Sequence, residues 1–211
     1  MIQRVQAKTD AKAQLKGYWG RAIGAFVLIG LVSLASGVVN MIPFVGWIGS
    51  TALASVVVLC MASYSLKFAN GNKPDVDEMF SGFENFLKAW GLNLVIGIFT
   101  FLWALLFIIP GIIKAISYSM AMYILADNPE IGVMEALNKS KEITTGHKWE
   151  LFVVYLSFLG WTLLASLTLG IGYLWLVPYM QITYANIYNQ IKGGSIGTQI
   201  EYEPIIENDL I

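Results

Sequence analysis

Charge is scarce in this sequence. Only 13% of its 211 residues are Asp, Glu, Lys or Arg, against the roughly 25% that a water-soluble domain carries. A surface so poor in charge cannot be solvated by water alone, and the mean hydropathy of +0.63 points to lipid instead. Cysteine is nearly absent: Cys60 stands alone, which excludes an intrachain disulfide and a thiolate metal cluster. Histidine is represented by His147 alone, too little for a recognisable zinc site. No Asp or Glu falls inside the long uncharged runs, so the carboxylate relays of proton-coupled and many cation-coupled transporters are missing. No nucleophile-elbow pattern accompanies the serines, and we expect no enzymatic activity, no cofactor and no metal.

The uncharged runs themselves dominate the chain. Residues 22–66, 89–113, 115–126 and 151–191 contain no Asp, Glu, Lys, Arg or His. The first is about twice the roughly 20 residues that cross a bilayer core as a helix. Backbone groups in hydrocarbon must be satisfied within a helix or a closed barrel, and these runs are continuously apolar rather than alternating, so helices are expected. Breaker residues divide them at Asn40–Gly46, at Ile109-Pro110-Gly111 and at Leu169–Gly172. The expected fold is therefore all-α: a polytopic membrane bundle of six transmembrane helices arranged as three hairpins, with short amphipathic cytoplasmic helices. The spans are expected at about 22–40, 47–66, 89–109, 111–127, 150–169 and 172–190. Together they form a domain over residues 1–192. Residues 193–211 carry Glu201, Glu203, Glu207 and Asp209 without a base and read as a flexible acidic tail.

Basic residues set the expected orientation. Twelve of the thirteen Lys and Arg residues lie in the N-terminal stretch, in the 67–88 and 127–149 loops, or at Lys192 after the last span. The positive-inside rule puts these segments, and both termini, in the cytoplasm. The N-terminal basic stretch is too long for a signal peptide, so the first span is expected to remain. Trp19, Trp90 and Trp149 stand where the odd-numbered spans enter the membrane, each just after a lysine. With His147 and Lys148, they are the expected interfacial anchors. The recurrence fits three hairpins of one plan, although aromatic belts alone also produce it. In the first loop Val76, Met79, Phe80, Phe83, Phe86 and Leu87 recur at helical spacing. In the second, Asn128 is a fitting cap before Pro129, with Ile131, Met134 and Leu137 on one face. Both loops are expected to lie as helices on the inner leaflet.

Lys114 is the exception to the charge pattern, about one helical turn past Pro110 near the outer end of the fourth span. It has two readings. In the simpler one it snorkels to outer-leaflet phosphates. In the other, Lys114 with Tyr118 and Ser119 binds an anionic lipid or ligand group inside the bundle.

The segments Ile109-Pro110-Gly111-Ile112-Ile113-Lys114, Tyr118-Ser119-Met120, Tyr123–Pro129 and Gly146-His147-Lys148-Trp149 carry a resemblance. They resemble bacterial integral-membrane proteins grouped as "domain of unknown function 975". More distantly, they are similar to the membrane domain attached to some glycerophosphodiester phosphodiesterases. The resemblance covers about Lys8 to Lys192. It implies a home in the bacterial cytoplasmic membrane and brings no activity or catalytic residue with it. The function expected on these grounds is non-enzymatic binding of lipid or an amphipathic substrate, in aid of transport or envelope homeostasis. Rival readings are a transporter or channel proper, which needs a continuous polar path, and an assembly partner of another membrane complex. Expected partners are membrane lipids, with a membrane protein or a second copy of the chain as further options, and no nucleic acid.

Overall fold

The computed structural model describes residues 2–39, 45–106 and 108–193; most of the turn expected at 40–46 and the acidic tail beyond Gly193 lie outside them. The described residues are all-helical. They run as α1 (Arg4–Leu15), α2 (Trp19–Val39), α3 (Val45–Ala69), a 3₁₀ segment (Asp77–Asn85), α4 (Phe86–Leu106), α5 (Ile108–Tyr118), α6 (Ala121–Asp127), α7 (Val133–Thr144), α8 (Lys148–Leu167) and α9 (Tyr173–Gly193).

Helix α1 falls in the N-terminal stretch, whose lysines the charge pattern marks only as topology signals. Ala7, Ala11 and Leu15 recur every fourth residue, share one face, and are fully buried against α9 and α3. The helix stops where Gly17 adopts φ +82°, a left-handed conformation that glycine alone enters freely. The chain then turns by 97° into α2.

Among the described residues four stretches are long and apolar enough to cross a membrane, Ile48–Ala69, Asp77–Leu105, Ile109–Asp127 and Lys148–Leu167, and a fifth if the bent α1–α2 pair is one span. Along α4, Leu94, Ile98, Phe101, Leu102 and Leu105 point outward, as do Leu156, Leu159, Leu163 and Leu167 along α8. A contiguous apolar exterior of this kind is the pattern of a membrane protein. Helix α9, expected as the sixth span, is not among the four. It carries Gln181, Thr183, Asn186, Asn189 and Gln190, and most of it from Ile182 to Ile191 is buried among α1, α2, α3, α7 and α8. Asn186 exchanges hydrogen bonds with Gln14 (3.0 and 3.2 Å) and donates to the Ala7 carbonyl (3.3 Å). These polar groups are satisfied by protein, which makes α9 the central helix of the bundle.

Boundaries shift at three places. Pro110 lies in the first turn of α5, where its missing N–H has no helical acceptor to lose, so it opens the returning helix rather than ending the outgoing one. The expected 111–127 span is matched by the apolar stretch Ile109–Asp127, within which the α-helical pattern breaks at Ser119–Met120, between α5 and α6. Asn128 is the C-cap of α6, its N–H bonding to the Ile124 carbonyl at 2.9 Å, and α7 begins later, after Gly132. Asn128 is thus not the N-cap that its place before Pro129 had suggested.

The two loop helices differ from each other. The first is 3₁₀, with three residues per turn, so Phe80, Phe83 and Phe86 line up on its exposed side while Met79 and Gly82 face inward. In α7, by contrast, Ala136, Leu137, Ser140 and Thr144 are buried against the bundle, and the Ser140 hydroxyl donates to the Ser117 carbonyl at 2.8 Å. Its apolar face is spent on protein rather than on a leaflet.

Hairpins α4–α5 and α8–α9 share one packing device. A Cβ on Gly111 would stand 2.8 Å from the Ala104 Cα, and one on Gly172 would stand 2.9 Å from the Ala165 Cα. In each case the alanine precedes the glycine by seven residues, and the two backbones meet with no side chain between them.

Candidate functional site

The N-terminal helix has two stripes. Beside the buried Ala7, Ala11 and Leu15 run Lys8, Lys12 and Lys16, at the same four-residue spacing. Because the alanines are pressed against α9, the lysines are turned into a groove of about 990 Å³ between α1 and the α8–α9 hairpin. This is the upper end of the size range of small-molecule sites. Trp161, Leu164, Ala165 and Thr168 line it from α8, Trp175, Leu176 and Tyr179 from α9, and Trp19 from α2. Apart from the lysines the lining is almost wholly apolar. The Thr168 hydroxyl, which could have been an exception, is occupied by the Ala165 carbonyl and the Gly172 N–H.

Contacts place the Lys8 and Lys12 ammonium groups together near one end of the groove. Lys8 Nζ donates to Ser157 Oγ at 2.7 Å and stands 4.4 Å above the Phe158 ring; Lys12 Nζ is 5.7 Å from the centre of the Tyr179 ring. Aromatic faces attract such cations. Thr168 and Gly172, beside the α8–α9 turn, lie roughly 10–15 Å farther along the helices at 1.5 Å per residue. The groove therefore has a cationic end and an aromatic, apolar end. No carboxylate lines it, and among the described residues none lies within 4 Å of Lys8, Lys12 or Lys16. Burial, then the charges of Lys12 and Arg4, hold the Lys8 ammonium below the ordinary lysine pKa.

Hydrogen bonds at both ends of α1 fix this wall. The Ile2 N–H donates to Glu150 Oε2 at 2.9 Å, and the same oxygen is 2.8 Å from His147 Nδ1. The Gln3 N–H reaches Gln190 Oε1 at 2.9 Å, and the Gln14 amide donates to the Ala69 carbonyl at 3.3 Å. His147, expected as an interfacial anchor, thus orients the carboxylate that holds the start of α1.

The other expected residues lie elsewhere. Lys114 Nζ sits 4.6 Å above the Trp103 ring of α4. Tyr118 is buried next to Phe99, with the Lys141 ammonium 5.6 Å from its ring. The Ser119 hydroxyl donates back to the Ile116 carbonyl at 2.8 Å. None of the three lines the groove. The tryptophans also part company. Trp19 lines the groove, Trp90 donates to Thr51 Oγ1 at 3.4 Å, and Trp149 is 73% exposed and stacked on Phe152. Lys148, at the start of α8, is half-buried. In the sequence Lys8, Lys12 and Lys16 read as topology charges. Their four-residue spacing was the available signal for a shared face, but Trp161 and Trp175 had none.

An all-helical bundle with several helices apolar enough for a membrane, and one lateral groove with a basic end, is the class of protein that these features define. The chain belongs to the family described as "Protein of unknown function (DUF975)", whose model matches residues 1–117 and 105–195. No curated protein and no solved structure matches it, so the distant likeness to the membrane domain of glycerophosphodiester phosphodiesterases has no counterpart there.

Proposed function

We propose that this is a non-enzymatic protein of the bacterial cytoplasmic membrane that binds an anionic amphiphile in the α1/α8/α9 groove, assisting lipid movement or envelope homeostasis. The observation that carries this reading is the pairing of three lysines, none with a carboxylate within 4 Å among the described residues, with an apolar, tryptophan-rich channel. Lys8 Nζ meets α8 at Ser157, seven residues beyond Glu150. An ammonium that far along a membrane helix calls for an anionic partner. Within this reading α2, α3, α4, α5–α6, α8 and α9 span the bilayer, both termini are cytoplasmic, and α1 rests at the inner leaflet. Lys114, already on Trp103, has the lesser claim to an anion.

The test is native mass spectrometry of the full chain from nanodiscs of phosphatidylcholine containing a minor fraction of phosphatidylglycerol. The wild type is expected to retain phosphatidylglycerol, and a folded Lys12→Gln/Lys16→Gln variant to lose at least tenfold of it. Equal retention by both proteins, or no preference over phosphatidylcholine, overturns the reading.

A further inference from the structure

We propose that the groove selects amphiphiles whose headgroup carries two or more negative charges, a phosphomonoester or a diphosphate, over singly charged phosphodiester lipids; this rests on the groove reading above. The argument is charge balance in a confined place. Lys8, Lys12 and Lys16 face one groove with no carboxylate among its lining residues. Successive members are about 6 Å apart along the chain's rise, so flexible lysine stems can bring two ammoniums to one headgroup. A phosphodiester brings one charge and leaves two lysines uncompensated. A phosphomonoester brings about −1.5 to −2 at neutral pH, and a diphosphate brings more. Lysine suits such a group because it acts as a compact point charge with rotatable donors. A choline headgroup would add a fourth cation to the same place.

The aromatic end sets the second requirement. Trp161, Leu164, Trp175 and Leu176 offer mainly apolar surface, with the indole N–H groups as their only polar atoms, so the ligand must carry a hydrocarbon tail as well as the charge. Free phosphate or pyrophosphate satisfies only the cationic end.

The experiment compares four probes on the full chain in phosphatidylcholine nanodiscs by native mass spectrometry: phosphatidic acid, phosphatidylglycerol, an isoprenyl diphosphate and inorganic pyrophosphate. Phosphatidic acid or the isoprenyl diphosphate is expected to be retained at least about fivefold over phosphatidylglycerol, as one more charge beside a lysine provides. Whichever of the two dominates identifies the source of the headgroup. Pyrophosphate alone is expected not to compete. The preference for phosphatidic acid is expected to shrink at pH 5, where the phosphomonoester loses its second charge, while phosphatidylglycerol retention is unchanged. Lys12→Gln should bring the preference toward unity, Lys12→Arg should keep it, and Lys139→Gln, on an exposed lysine outside the groove, should leave it intact. Equal retention of phosphatidic acid, isoprenyl diphosphate and phosphatidylglycerol overturns the selectivity while the anionic-lipid reading stands. No retention of any of them over phosphatidylcholine overturns both.

Discussion

Substituting Ala11 by leucine tests whether α1 is a fixed wall of the groove. Ala11 has no exposed surface and belongs to a cluster with Leu15, Tyr64, Phe68 and Ile182. Three additional carbons have nowhere to go without lifting α1 from α9. Overpacking of this kind costs about 1–3 kcal/mol. Because α1 joins the bundle through one 97° corner, the cost is expected to fall on its docking rather than on the whole fold. At about 2 kcal/mol the open fraction of α1 rises roughly 30-fold, since 1.4 kcal/mol is a factor of ten. Amide hydrogen exchange across residues 4–15 should accelerate by that factor, and trypsin should cut sooner at Lys8, Lys12 and Lys16. Exchange in α8 and α9 away from the contact should stay as it was. Anionic-lipid retention should fall in step, because the lysines leave the groove together. An Ala11→Leu protein that is folded and shows unchanged exchange in α1 would refute the docking described here.

Gly111→Val and Gly172→Val each place carbon under 3 Å from a neighbouring backbone. Each should lower thermal stability far more than Gly160→Ala, whose added methyl meets nothing within 4 Å; a thermal shift in detergent reads the difference. Asp127→Asn weakens the ion pair to Lys192 and the hydrogen bond from the Tyr188 hydroxyl. Asp127 and Lys192 are partly exposed, so a loss of only about 1 kcal/mol is expected from the ion pair in denaturant titration. Glu150→Ala leaves the Ile2 N–H without its acceptor and should speed exchange at residues 2–4 while leaving α8 intact. Cys60 is fully buried, so a maleimide should label it only after denaturation in SDS.

Most of the helical plan is legible in the sequence because the chain writes it in charge. Long uncharged runs broken at Pro110 and at Gly170–Gly172 leave little choice of element, and α8 and the start of α9 fall within two residues of expectation. Helix α1 was hidden for a physical reason. Its buried stripe is made largely of alanine, which barely registers as hydrophobic, and its lysines had already been explained as topology markers. Asn128 misled because an Asn before a Pro has the chemistry of an N-cap, while the backbone used it to close α6. The length of α9 was evident, but its amides signal burial in protein only when Gln14 and the Ala7 carbonyl are seen beside Asn186. The groove was out of reach altogether. It joins residues 8–19 to 161–179, and no local pattern links Lys8 to Ser157.

That α1 docks on α9 also bears on how the protein is made. Among the described residues α1 has α9, far later in the chain, as its main partner, and the Ile2 and Gln3 N–H groups find their acceptors at Glu150 and Gln190. Domains begin to fold from the N-terminus during synthesis, but this one cannot close that way. Until α8 and α9 have been made, the alanine stripe is bare and the three lysines face no wall. A chain truncated before α9 therefore lacks the groove.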